Sequence, residues 1–175
     1  MAAISRSRRS ASGIALIVAG ALFVLAAILP LLNVSVPWFL VLAYAAMAVA
    51  LGLLGFGAVN NTVAKVALIA AAVGWALLAI AGLGVALPAV LVTIAAIVAG
   101  VGGLIAAIVM YVGKEITNMA ALAFIIATAL GLLYLLGGIL AVFALGSLAM
   151  IITVLFGVAL IVSGVLFRRT ERGRR

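Results

Sequence analysis

The side chains that do chemistry in most proteins are nearly missing from this chain. It has no histidine, cysteine or aspartate, and its two carboxylates, Glu115 and Glu171, lie within basic stretches. That inventory excludes imidazole and thiolate metal sites, haem ligation through those groups, serine or cysteine triads and paired-carboxylate catalysis. The polar groups left inside apolar runs are Thr93, Thr128, Thr153, Ser163, Tyr44 and Tyr134, with Asn118 near the start of one run. A hydroxyl in a membrane helix commonly bonds back to the carbonyl one turn earlier, and that reading is preferred here to ligand contact. Trp75 and Tyr44 fall deep within their runs, where packing with a satisfied polar tip is preferred to pocket lining. No catalytic, cofactor-binding or metal-binding residue is expected.

The elements that must hold these groups follow from composition. Of 175 residues, 71% are hydrophobic and 7% charged, whereas a soluble domain carries about a quarter charged residues. The bilayer must therefore be the solvent. A helix needs about 20 apolar residues to cross a hydrocarbon core, and six stretches qualify: Gly13 to Leu32, Val36 to Gly57, Thr62 to Gly82, Pro88 to Tyr111, Ile116 to Gly137 and Ser147 to Phe167. The expected fold is all-α and polytopic, six transmembrane helices in three hairpins. A basic segment (1–12) precedes the transmembrane domain (13–167), and a basic tail (168–175) follows it.

The net charge of +8 would suggest nucleic acid for a soluble protein. Here Arg6, Arg8, Arg9, Lys65, Lys114, Arg168, Arg169, Arg172, Arg174 and Arg175 all fall at helix ends, so they read as topology signals and contacts to lipid headgroups. With the N-terminus inside, every charge is cytoplasmic, and the outward turns around Asn33 to Pro37, Leu83 to Leu87 and Gly138 to Gly146 carry none. Both termini are therefore expected in the cytoplasm. Ser7-Arg8-Arg9 is not expected to be a cleaved export signal, because Ser10, Ala11 and Ser12 follow the arginines and no cleavage region follows the first span. Trp38 and Tyr111 suit the two membrane interfaces, and Asn60, Asn61 and Thr62 offer capping chemistry for the third helix.

Three hairpins of similar length suggest a repeat, opened by Ala15-Leu16-Ile17, Ala67-Leu68-Ile69 and Ala121-Leu122-Ala123. A longer echo joins GIALIVAG (Gly13 to Gly20) to GVALIVSG (Gly157 to Gly164). The two segments run in opposite directions across the membrane, so the echo reflects either shared packing or duplication. Small residues four apart, among them Ala48 with Gly52, Ala96 with Gly100 and Ala127 with Gly131, favour close helix approach. Gly13, Gly20, Gly52, Gly100, Gly131, Gly157 and Gly164 are the packing candidates, with Gly52 and Gly100 expected at a tight interface. Pro30, Pro37 and Pro88 mark outward turns rather than kinks. Gly138 to Gly146 is as apolar as the spans it joins, so it must extend a helix, re-enter against protein or be covered by a partner; helical extension is preferred.

The glycine pairs Gly13 with Gly20 and Gly157 with Gly164, Pro30 closing the first span, and the short three-hairpin layout before a basic tail resemble the HdeD-like family of small six-helix membrane proteins associated with acid stress. The middle hairpin, with Gly82 and Pro88, departs from that pattern. The resemblance implies a non-enzymatic protein of the bacterial inner membrane and supplies no catalytic residues. The expected role is structural, accessory or stress-related, with membrane lipids, a homo-oligomer or another membrane protein as partner and no nucleic acid. The alternative is a transport component resembling the substrate-capturing subunits of vitamin importers, for which Asn33, Ser35 and Ser147 would be the outward polar groups.

Overall fold

The computed structural model of the protein describes residues 2–34, 37–57, 59–139 and 146–172, with the backbone alone at 2–8, 146 and 170–172. Its elements are α1 (Ala2–Ile28), α2 (Trp38–Gly55), α3 (Thr62–Gly82), α4 (Ala89–Val112), α5 (Asn118–Ile139) and α6 (Gly146–Arg172), with a short 3-10 turn, Leu29–Leu32, ending the first span. Among the described residues there is no strand, and all six helices are long and apolar enough to cross a membrane. The chain is thus an all-helical, multi-pass membrane protein. Helix α1 runs back through the N-terminal basic segment to Ala2, and α6 continues to Arg172. The expected extension of Gly138 to Gly146 is seen only at its margins, where Gly138 and Ile139 end α5 and Gly146 opens α6; residues 140–145 lie outside the described residues.

Each helix packs against its neighbours in the chain, and α1 packs most extensively of all against α6, closing the six into a ring. The exterior stays apolar, with Val18, Val49, Val73, Ile105, Ile126 and Leu155 exposed along the six helices in order. In water such a surface would aggregate; in lipid it is solvated.

The ring has an internal periodicity. Ser12, Leu16, Ala19 and Phe23 on α1 are buried at spacings of four, three and four; so are Ala64, Leu68, Ala71 and Trp75 on α3, and Ala120, Phe124, Ala127 and Gly131 on α5. The returning helices repeat it with Ala43, Met47, Ala50 and Leu54; Ala99, Gly103, Ala106 and Met110; and Phe156, Leu160, Ser163 and Phe167. The third position is small on all six helices, and lack of bulk there lets the backbones converge. The three hairpins thus share one pattern of burial, although the expected third opening is displaced: Leu122 is 47% exposed, and Phe124 takes the place of Leu16 and Leu68.

The symmetry breaks at one layer. α1 and α3 each send a ring inward, Phe23 and Trp75, but α5 has Gly131, while α6 has Phe156 where α2 and α4 have Ala43 and Ala99. A Cβ on Gly131 would lie 2.9 Å from the Phe156 ring. The third hairpin therefore supplies its ring from the returning helix, and glycine on the outgoing helix makes room for it.

The α1–α6 seam explains the octapeptide echo. Because the helices are antiparallel, the first glycine of one segment meets the last of the other: a Cβ on Gly13 would lie 2.8 Å from the Gly164 carbonyl oxygen, and one on Gly157 would lie 2.6 Å from that of Gly20. The converse pairs, Gly20 on the Gly157 carbonyl and Gly164 on the Gly13 carbonyl, are as close. Backbone meets backbone, so no side chain can move aside. The two matched segments face each other in opposite register, as a packing motif.

Candidate functional site

Five rings converge at the symmetry-breaking layer. Phe23 packs on Phe156 at a centroid distance of 4.8 Å, on Tyr134 at 5.6 Å, on Tyr44 at 5.9 Å and on Trp75 at 6.1 Å, while Trp75 also lies 5.5 Å from Tyr44. These tilted and edge-on geometries are the favourable ones for aromatic pairs. The Tyr44 and Tyr134 hydroxyls hydrogen-bond to each other at 2.8 Å, joining α2 to α5 across the ring.

On the side of this layer toward the proline-bearing turns lies a pocket of about 510 Å³. The two tyrosines form its floor; Leu78, Val92, Ala96 and Leu135 line its walls; Ala89, Gly138 and Ile139, all exposed, lie at its mouth. From Ala89 to Ala96 the helical rise gives a depth of about 10 Å. Its lining contains no charged group, and the Thr93 hydroxyl is spent on the Ala89 carbonyl at 2.9 Å. On the other side of the aromatic layer a void of about 10 Å³ lies between Met47, Leu51, Trp75, Thr128 and Phe156. The pocket is a blind vestibule, separated from the opposite end by the packed rings and buried Leu51, Leu54, Leu68 and Met110.

The sequence-based reading of the small hydroxyls matches their geometry. Thr128 donates to the Phe124 carbonyl at 2.9 Å, Thr153 to Ala149 at 2.7 Å and Ser163 to Ala159 at 2.8 Å, each one turn back. Ser12, which that reading passed over, instead donates to the Ala50 carbonyl at 2.8 Å and ties α1 to α2. Among the described residues no buried polar side-chain atom lacks a partner, and no cluster of His, Cys, Asp or Glu suits a metal ion. Trp75 is buried in the ring cluster. Tyr44 combines two roles that the sequence set against each other, since its hydroxyl is satisfied and its surface lines a pocket.

The other packing candidates separate. Gly100 takes the Leu132 side chain, whose Cδ1 would lie 2.7 Å from an added Cβ, whereas the nearest atom to a Cβ on Gly52 is the Ala72 Cβ at 4.0 Å. The close approach of α2 to α3 occurs at Gly55, beside Ile69 at 2.9 Å. Gly74 and Gly102 hold α3 to α4: added Cβ atoms would lie 2.6 Å from the Ala95 carbonyl and 3.0 Å from the Ala67 carbonyl.

The described charged side chains gather at the end opposite the vestibule. Arg168 lies beside Gly13, and Ser12 reaches α2 near its end, which brings Arg9, Arg168 and Arg169 to the same end of the bundle. Glu115 accepts from the backbone amides of Asn61 at 3.0 Å and Asn60 at 3.3 Å, pinning the α4–α5 connection, with Lys114, to the start of α3, which carries Lys65. Asn61 caps α3, its Oδ1 accepting from the amides of Val63 at 2.9 Å and Ala64 at 3.3 Å. The side chains of Arg6, Arg8 and Arg172 and all of Arg174 and Arg175 lie outside the described residues. Of the outward polar groups weighed for transport, Asn33 lines a separate rim groove of about 320 Å³ with Pro30 and Pro37, Ser147 is exposed on the first turn of α6, and Ser35 lies outside the described residues. No family model matches the chain, and neither does any curated protein or solved structure.

Proposed function

We propose that this chain is a non-enzymatic protein of the bacterial inner membrane, with both termini cytoplasmic and a structural, accessory or stress-related role exercised through packing with lipid or a second membrane chain. It is the kind of role that the HdeD-like resemblance implies. The observation that carries the reading is the closed ring: glycine backbones seal α1 to α6, and an aromatic layer blocks the interior. Such a bundle presents partners with an apolar exterior and its charged end, and the buried hydroxyls of Thr128, Thr153 and Ser163 are engaged by their own helices. Native mass spectrometry of protein released gently from its own membranes is the test. A stoichiometric second protein or a defined homo-oligomer is the expected result, and a monomer without any protein partner would overturn the accessory role.

A second reading, capture of a small molecule as part of a transport system, is favoured by one observation, the vestibule of about 510 Å³. Its opening on the end away from the charges would face outward in the proposed orientation.

A further inference from the structure

We infer that the vestibule is a binding site for an uncharged, hydroxyl-bearing amphipathic molecule whose apolar body lies against Leu78, Val92, Ala96 and Leu135 and whose hydroxyl reaches the Tyr44–Tyr134 pair. This assignment deepens the transport reading, which rests on the same vestibule, and does not depend on the accessory role. The volume comes first: about 510 Å³ falls within the roughly 300–1,000 Å³ of small-molecule pockets. The lining decides the class. It holds no charge, so a carboxylate, phosphate or ammonium entering it would lose its hydration without a counter-ion. Apolar walls favour a hydrocarbon body, and the phenols at the floor supply a single polar locus.

That locus has the chemistry to take a hydroxyl. A phenolic oxygen both donates and accepts, and whichever of the two tyrosines donates, the Tyr44 oxygen keeps an acceptor lone pair. An incoming O–H that donates to this pair extends it into a polarised chain, which strengthens each member in a medium of low dielectric. A pure hydrocarbon gains nothing there. Both tyrosines are half-buried, and their place in the lining makes them accessible from the mouth. Gly138 stands at that mouth, and among the described residues no atom lies within 4 Å of an added Cβ.

The experiment uses two probes with the same carbon skeleton, the alcohol menthol and the hydrocarbon p-menthane, added to full-length protein in lipid nanodiscs with concentrations referred to the lipid phase. Trp38→Phe leaves Trp75, the second of two tryptophans, as a fluorophore 5.5 Å from the Tyr44 ring. Menthol is expected to change its emission saturably and to bind about five- to tenfold more tightly than p-menthane, the value of one net hydrogen bond. Tyr44→Phe with Tyr134→Phe, which keeps the ring volume, should erase that difference. Gly138→Leu should fold as the parent does and weaken both probes at least about fivefold, since the loss of one well-filled contact surface is worth that much. Equal affinity for the two probes would identify an apolar cleft that lipid chains fill, and would overturn the proposal. A response that Gly138→Leu leaves unchanged would place the probes elsewhere and overturn it as well; this arm holds even if the double tyrosine variant fails to fold.

Discussion

At the residue scale the few polar groups act locally or as clamps. Thr128, Thr153 and Ser163 bond within their own helices, a result legible in the sequence because helical geometry alone brings a hydroxyl within reach of the carbonyl one turn back. Glu115 and Asn61 instead secure the turn into α3. The Asn61 side chain serves two orphan amides, and the Glu115 carboxylate lies at the N-terminus of the same helix, where the aligned peptide dipoles favour negative charge. Asn61→Ala should lower stability by about 1 kcal/mol, as loss of an N-cap does. Glu115→Ala should cost about the same, because water can reach the amide of Asn60 and so limit the loss. The two act on one turn, so the double variant should cost less than the sum. Equilibrium unfolding in mixed micelles, followed by helical circular dichroism, measures all three; strict additivity would mean that the two clamps are independent.

At the element scale the exchange of a ring between α5 and α6 is the feature that shapes the interior. Phe156 occupies the space that a ring at position 131 would fill if the third hairpin copied the first two, in which Phe23 and Trp75 hold that place. Phe156→Ala should therefore cost about 3 kcal/mol or more through the cavity it leaves. Gly131→Phe should cost about 1–3 kcal/mol through overpacking against Phe156. Together the substitutions move the ring back to the outgoing helix, and the pair should recover at least about 1 kcal/mol relative to the sum. Costs that simply add, measured by the same unfolding method, would show that position 131 cannot house the ring. This layer was hidden in the sequence for a physical reason. A helix in lipid is apolar all round, so no stripe distinguishes its inner face, and nothing local says that Tyr44 and Tyr134 meet. Gly52 and Gly100 looked alike for the same reason, although only Gly100 is crowded. The spans were legible because their lengths answer to bilayer thickness, and the α1–α6 echo was legible as a match, but its meaning required the antiparallel register.

At the scale of the whole molecule, charge and cavity divide the bundle. The described charges lie at one end, Arg9, Lys65, Lys114, Glu115, Arg168 and Arg169, and the vestibule opens at the other. Basic residues are retained on the cytoplasmic side during insertion, so the end that carries Asn60 should face the cytoplasm and the α3–α4 turn should face outward. The native chain has no cysteine, so single cysteines can be labelled without background. Asn60 and Ala86 are both exposed, at opposite ends. In intact cells Ala86→Cys should react with a membrane-impermeant maleimide, and Asn60→Cys should react only after permeabilisation. The reverse pattern would invert the protein and turn the vestibule toward the cytoplasm, and labelling of both in intact cells would contradict a single orientation. The expected pattern would bring any ligand of the vestibule from outside the cell or from the outer leaflet.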